Sequence, residues 1–458
     1  MEASTFLILS ELMMNLRPTH YCLAGVVSLC LLAGCTGEDA EREQPRQEDA
    51  GADAAADTDH ATDTAPPTDS DAVLDDTGTT DPQLIDMSAL EYVGGFRVPA
   101  GEFGDSSMNF AQGPIYYDHE NHSVFLVGHA HHQAIAEFSV PQVVDSTTVT
   151  DLEIAADPVQ PFATVLDRLD NPESIDRLHG LAMIDGPNGR ELVVNSVEYY
   201  DAPGDNSDTT LVIRDPSDLA GSAVGGFFEF EGTAHAAGWM SPIPADLQDA
   251  LGGTHITGSS SGYPIISRLS VGPTAFVFDP TDIVGSSGTP DFVETTPLLD
   301  FSLANKLAED LSNDNGDNDL WTHLSRAVYG FIAPGTRTYV TLGHSAGHDS
   351  GVCYKCTQDG QDNPCGGYCA PDPNDYYTYY WLWDVDDLVA VKEGSMQPHE
   401  VRPYDYGKWE IPFATAQLGG ASYDAESNRL YVTAQKADRE QGTYSNPPVI
   451  MVYEIVLR

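Results

Sequence analysis

The chain holds 71 acidic residues against 20 lysines and arginines, so the placement of its few arginines carries information. Arg177, Arg268 and Arg326 each stand just ahead of an apolar run, and His179 follows Arg177 by two positions. A guanidinium grips a carboxylate through two parallel hydrogen bonds. If the three apolar runs converge on one axis, these cations form a basic funnel in an acidic shell and focus an anionic small molecule or polysaccharide. The competing reading is three Arg–Asp pairs that tie neighbouring units together. Histidines gather at two equivalent points, His129 with His131 and His132, and His344 with His348. Imidazoles arriving from two such points could share a divalent metal. As solvated loop residues they would have no such role.

Four cysteines lie close together: Cys353, Cys356, Cys365 and Cys369, in the spacing C-x2-C-x8-C-x3-C. That spacing invites a zinc reading. An exported chain favours two disulfides instead, in any of three connectivities. Residues 313–319 read Asn-Asp-Asn-Gly-Asp-Asn-Asp. Asp314, Asp317 and Asp319 make this a candidate calcium loop, although the EF-hand spacing fails. A plain Asx-rich turn is the alternative. Residues 259–262, Ser-Ser-Ser-Gly, lack the frame of a nucleophile elbow. No phosphate loop or dinucleotide fingerprint is present.

The elements that must position these residues show as internal repeats. Residues 113–127 contain Gly-Pro-Ile-Tyr-Tyr-Asp118, four polar residues, then Ser123-Val-Phe-Leu-Val127. Residues 419–433 contain Gly-Gly-Ala-Ser-Tyr-Asp424, four polar residues, then Arg429-Leu-Tyr-Val-Thr433. Polar turn residues between apolar runs predict a hairpin in each. Residues 328–343 repeat the pattern, and residues 180–195 do so with one extra residue. A second repeat follows the hairpins. Leu211 to Leu219, Ala275 to Ile283 and Tyr380 to Leu388 are apolar strands ended by Asp-x-x-Asp-Leu/Ile. The aspartates can close the strand end on turn amides.

Such modules predict an all-β fold, a β-propeller with five blades at about 110–145, 175–220, 225–285, 321–391 and 410–458. Insertions at 145–175, 285–320 and 345–378 leave six or seven blades open. A strand at 92–98 is placed to complete the last blade and remove a sheet edge. Tyr92-Val-Gly-Gly-Phe-Arg-Val-Pro99, Val127-Gly-His129 and Leu418-Gly-Gly-Ala-Ser-Tyr-Asp424 resemble a group of uncharacterised secreted bacterial propeller-like proteins. The resemblance covers most of 89–458 and implies a fold, with no activity attached.

An apolar run at 21–32 follows Arg17 and ends in Leu32-Ala-Gly-Cys35. It has the order of a signal peptide and is too short to span a bilayer. Its ending resembles the lipobox of bacterial lipoproteins. By that resemblance residues 1–34 are removed and Cys35 is lipidated, which implies a membrane anchor at the cell envelope, in the outer membrane or at the cell surface. Residues 35–86 form the second region. The stretch 36–86 carries 16 acidic and 2 basic residues with few large apolar side chains, so it predicts a disordered, self-repelling tether. The third region, 87–458, is the folded domain and still carries −36. That charge repels a phosphate backbone, which argues against nucleic-acid binding.

These observations lead to a lipid-anchored propeller that binds a ligand or a protein partner. The second reading is an extracellular hydrolase or lyase acting on an anionic polymer through Arg177, His179, Arg268, Arg326, His129 and His344. No cofactor is implied beyond the calcium or histidine-bound metal considered above.

Overall fold

Short runs of β-branched and aromatic residues, bounded by polar turns, form strands because their side chains pack on a pleated surface. A computed structural model describes residues 83–201, 204–260, 270–285 and 292–458. The signal segment, Cys35, residues 35–82 of the predicted tether and Arg268 lie outside the described residues. The last residues assigned to the tether, 83–86, instead join the folded part, where Ile85 is buried and its amide donates to Thr338 Oγ1. Among the described residues no helix is long and apolar enough to cross a membrane.

Five four-stranded antiparallel sheets make up the described part. Blade 1 runs from its inner strand Ile115–Asp118 through Ser123–Val127 and Ala134–Ser139 to Gln160–Thr164. Blade 2 comprises Arg177–Gly186, Gly189–Val197, Asp208–Ile213 and Val224–Glu229. Blade 3 comprises Trp239–Pro242, His255–Gly258, Ala275–Phe278 and Thr296–Leu299. Blade 4 comprises Arg326–Ile332, Thr338–Ala346, Tyr376–Asp384 and Asp405–Lys408. Blade 5 comprises Leu418–Asp424, Arg429–Ala434 and Val449–Ile455, and its outer strand is the N-terminal Leu90–Arg97. Each inner strand touches the inner strands of both neighbours, and blade 5 returns to blade 1. The sheets therefore form a closed ring, a five-bladed propeller.

The blade limits differ from the sequence reading in one consistent way. Three outer strands fall in segments that read as insertions or as part of the next unit, and Asp405–Lys408 lies between the fourth and fifth units. Gln160–Thr164 and Thr296–Leu299 each contain a proline. Proline is tolerated there because an outer strand leaves one edge unpaired. It also erases the alternation that marks a strand in sequence. Val224–Glu229, read as the start of the third unit, instead closes blade 2 by pairing with Asp208–Ile213. Of residues 345–378, the stretch 347–375 is a genuine insertion between the second and third strands of blade 4, while its two ends pair within those strands.

The repeats have common physical roles. In the turns after the inner strands, Asp118 accepts from the Glu120 amide and Asp424 from those of Glu426 and Ser427. The turns end at His122, Asn428 and Gly335, all with positive φ. At the ends of the third strands, Asp215 accepts from Ser217 N, Asp279 from Thr281 N and Asp384 from Asp386 N. Asp384 thereby caps the helix Val385–Lys392, a contact of about 1 kcal/mol.

Blades 2 and 3 approach through glycine. A Cβ at Gly180 would lie 1.8 Å from the Gly238 carbonyl oxygen, and one at Gly238 would lie 1.9 Å from that of Gly258. Buried side chains stitch the same seam. Asn195 Nδ2 donates to Gly238 O and Thr257 Oγ1, while its Oδ1 accepts from Thr210. Between blades 3 and 4, Trp239 Nε1 donates to Tyr339 Oη at 3.1 Å. Trp381, Trp383 and Phe301 are buried in the largest core, which spans blades 3 to 5. Full burial of one such side chain stabilises the fold by roughly 2–3 kcal/mol.

Candidate functional site

Inner strands of a propeller line its axis, so their irregularities decide what faces the axis. Three of the five break register at corresponding places. Blade 2 skips between Leu178 and Gly180, blade 4 between Ala327 and Tyr329, and blade 5 between Leu418 and Ala421. The displaced residues include His179, Val328 and Gly419, and all three line one narrow axial funnel. A bulge removes a residue from the ladder and re-aims its side chain. Gln112 and Pro114 of blade 1 and Trp239 and Ser260 of blade 3 complete the wall. The funnel is tight, with a cavity volume of about 20 Å³, little more than one water. We call this end the upper mouth.

Arg326 begins the inner strand of blade 4 and also lines the funnel. Its Nη2 lies 3.5 Å from His179 Nε2. Across the same blade its register partner is His344. Among the described residues Arg326 makes no ion pair with a carboxylate. Residues 261–269, which follow Ser260 at the funnel wall, contain no Asp or Glu in sequence. Burial, then Arg326 and Arg177, lowers the His179 pKa to about 3. Burial, then Arg326, lowers that of His344 to about 3. Both imidazoles are therefore neutral at physiological pH. His344 Nδ1 is buried with no hydrogen-bond partner among the described residues, a costly state for a polar atom.

Arg177 lies near enough to act on His179 but is already engaged. It pairs with Asp176 at 3.0 Å and stacks over Tyr199 at 4.7 Å. The structure thus gathers Arg326, His179, His344 and, at the edge, Arg177. His129 does not join them. Its ring stacks on His132 with centroids 4.6 Å apart, with His131 at 5.5 Å. Burial and these two neighbours hold its pKa below the ordinary value. His348 is tied into blade 4 by Ser345 Oγ and Asn318 O.

The other candidates separate as well. Asp314, Asp317 and Asp319 are exposed. They do not gather into a metal-sized group; among the described residues the only group of three His, Cys, Asp or Glu that does so is Cys353, Cys356 and Cys369. The stretch is instead an Asx-rich turn. Asp310 accepts from the Asn315 amide, and Asn318 N donates to Asn313 Oδ1. The amide dipoles directed at Asp310 hold its carboxyl below the usual range.

The four cysteines form two disulfides, Cys353–Cys356 and Cys365–Cys369. Cys353 and Cys369 also face each other across a two-residue ladder. The sulfur atoms of Cys353, Cys356 and Cys369 lie within 4.8 Å of one another, so the loop, once reduced to thiolates, could hold a soft metal.

A second opening at the other end of the inner strands was missed by the sequence reading. It is lined by residues of all five blades, among them Tyr116, Met183, Met240, Tyr329 and Tyr423. A signal existed in the repeats themselves. Tyr117-Asp118 and Tyr423-Asp424 occupy matched positions at the ends of two inner strands. Aromatics at such positions face either the axis or a neighbouring blade, and only the assembled ring separates the two.

No family model matches the chain, and no curated protein matches it. Among solved structures it is similar to the holo form of the pyranose dehydrogenase PQQ domain from Coprinopsis cinerea. The identity is 9% and the TM-score 0.27, over 78% of this chain and 98% of that one. It is also similar to the endosialidase of phage phi92, at 9% identity and a TM-score of 0.29, over 79% of this chain. It spans 52%, about half, of the endosialidase chain. The fold assignment rests on the ring of sheets, and the chemistry of the site on its own residues.

Proposed function

We propose that the protein is a ligand-binding propeller whose upper funnel takes the carboxylate of a small anion or of an acidic sugar. The observation that carries this reading is Arg326, an axial guanidinium without a carboxylate partner among the described residues, in a chain of charge −51. An acidic shell around one basic point repels anions at large and rewards only a ligand that reaches the guanidinium. The neutral imidazoles of His179 and His344 add hydrogen-bonding capacity without competing charge. The cavity volume is only about 20 Å³, so the carboxylate group alone enters and the rest of the ligand stays at the mouth.

The same observations favour binding over turnover. A general base works best with a pKa near the operating pH. An imidazole held at about 3 is a weak base, so a hydrolase or lyase reading has no suitable proton acceptor at His179. By the lipobox resemblance, Cys35 would anchor this module at the cell envelope on the acidic stretch that follows it.

Titration calorimetry with glucuronate and with glucose tests the proposal. Glucuronate should bind and glucose should not. Arg326→Ala should weaken glucuronate binding by about tenfold or more, the scale of one charge-assisted hydrogen bond. Equal affinity for the two sugars, or an unchanged affinity in the variant, would sink it. Release of unsaturated uronates from an acidic oligosaccharide would favour the lyase reading instead.

A further inference from the structure

The lower mouth has the opposite chemistry. Its cavity volume is about 370 Å³. The rim carries the carboxylates of Asp118, Glu120, Asp185, Asp424 and Glu426, with Arg190 and His119 as the cations among them. Arg190 is held by Asp118 at 2.6 Å and by Glu120 at 3.0 Å. His119 is held by Asp424 at 2.9 Å and by Glu426 at 3.1 Å. Asp185 has no ion pair among the described residues. Even with His119 protonated the mouth is net negative.

The floor beneath this rim is aromatic and thioether, with Tyr116, Tyr329 and Tyr423 beside Met183 and Met240. Tyr329 spends its hydroxyl on the Tyr423 amide, and Tyr423 donates to Asn428. Tyr116 is different. It is mostly enclosed, and that burial drives its pKa well above the ordinary value, with Asp118, Asp424 and Asp185 adding to the rise. Its hydroxyl has no hydrogen-bond partner among the described residues while its side chain lines the mouth. His255 lines the same mouth, and burial keeps it neutral by lowering its pKa to about 4. It therefore adds no positive charge.

We propose that the lower mouth is a second binding site, for an organic ammonium ion. Ring faces and thioether sulfurs contact the alkyl groups around the nitrogen. The carboxylate rim supplies the field, and the Tyr116 hydroxyl is left to accept from an N–H or to meet a polar substituent. A metal ion is a poorer fit, because the rim acids are spread around the mouth and do not gather into a metal-sized group. The site is independent of the upper funnel in position and in charge.

Tetramethylammonium and the uncharged tert-butanol, titrated into the full chain and followed by ligand-observed NMR, distinguish the possibilities. Tetramethylammonium should bind saturably and tert-butanol should bind at least about fivefold more weakly, the scale of an aromatic–cation contact. Asp185→Asn should weaken the cation by about threefold and steepen no other property. Tyr116→Leu should weaken it further. Asp317→Asn makes the same charge change on the exposed turn away from the mouth and should leave binding unchanged. The inference is overturned by the absence of saturable ammonium binding, by equal binding of the neutral analogue, or by equal effects of Asp185→Asn and Asp317→Asn.

Discussion

Arg326 and His179 stand 147 positions apart in sequence, yet Arg326 Nη2 comes within 3.5 Å of His179 Nε2 at the propeller axis. Each begins or nearly begins an inner strand, and a register break displaces His179 out of its own ladder. The pair sets the charge of the funnel: the guanidinium carries it, and burial, with the guanidinium beside it, keeps the imidazole neutral.

Removal of that guanidinium should be legible at both imidazoles. Arg326 lowers the pKa of His179 and of His344, in each case as a smaller cause than burial. In Arg326→Ala both should move upward and remain below the ordinary histidine value. A titration of the imidazole NMR signals checks this, and an unchanged His179 would show that the contact does not form.

Acid should destabilise the protein over a defined window. A histidine kept neutral by folding binds its proton only in the unfolded chain between the two pKa values. Unfolding then takes up protons, so stability falls as pH drops. For His179 and His344 the window runs from about 6.5 down to about 3. His179→Gln should flatten the slope of Tm against pH across that window by the equivalent of about 1 kcal/mol per pH unit. A slope identical to the wild type would contradict the assigned burial.

Gly180→Ala should be severe. The added methyl would lie 1.8 Å from a backbone oxygen of blade 3, and backbone in a sheet cannot rotate away as a side chain can. A loss of about 3 kcal/mol or more is expected, seen as a shifted denaturant midpoint. Gly189→Ala is a useful contrast. Its Cβ meets open space, so only its positive φ of 119° opposes the change.

Starting the chain at Val98 should open the ring. Leu90–Arg97 is the outer strand of blade 5 and pairs along Val449–Ile455. Its removal bares a strand that is almost wholly buried and apolar, an invitation to edge pairing with other chains. Size-exclusion chromatography should find aggregates, and a monomer with an unchanged melt would contradict the closure.

The cysteine loop should carry no free thiol without reductant, and reduction should raise the intact mass by four hydrogens. Each disulfide spans only three or four positions. The chain-entropy argument therefore limits each to about 2 kcal/mol. Reduction should loosen the loop while the five blades keep their cooperative melt. Thiol alkylation with mass spectrometry reads the thiols, and a thermal melt followed by circular dichroism with and without reductant reads the blades.

Much of this architecture was visible in the chain before any coordinates. The hairpins at 113–127 and 419–433 announce themselves because a strand, a tight turn and its return are local. The aspartates that close strands at 215, 279 and 384 do so through amides two positions on. Even the closing strand was readable, since an unpaired run such as Leu90–Arg97 needs a partner edge. The proline-bearing outer strands were hidden, because an edge strand is stabilised by its one neighbour more than by its own pattern.

The site was readable only in part, and the division follows the range of the forces. Scarcity singled out Arg326, and proximity to Arg177 singled out His179. Whether those side chains meet depends on bulges at Leu178/Gly180 and Ala327/Tyr329. The first of these bulges ends at Gly180, whose backbone meets Gly238 of blade 3 too closely for a Cβ. That crowding involves residues dozens of positions apart, so no local pattern encodes it. His129 shows the converse: it shares the strand-end setting of His344, but its blade turns it toward His132. Local sequence set the inner hairpins and the turns that close them. Contacts between blades set which residues face the axis.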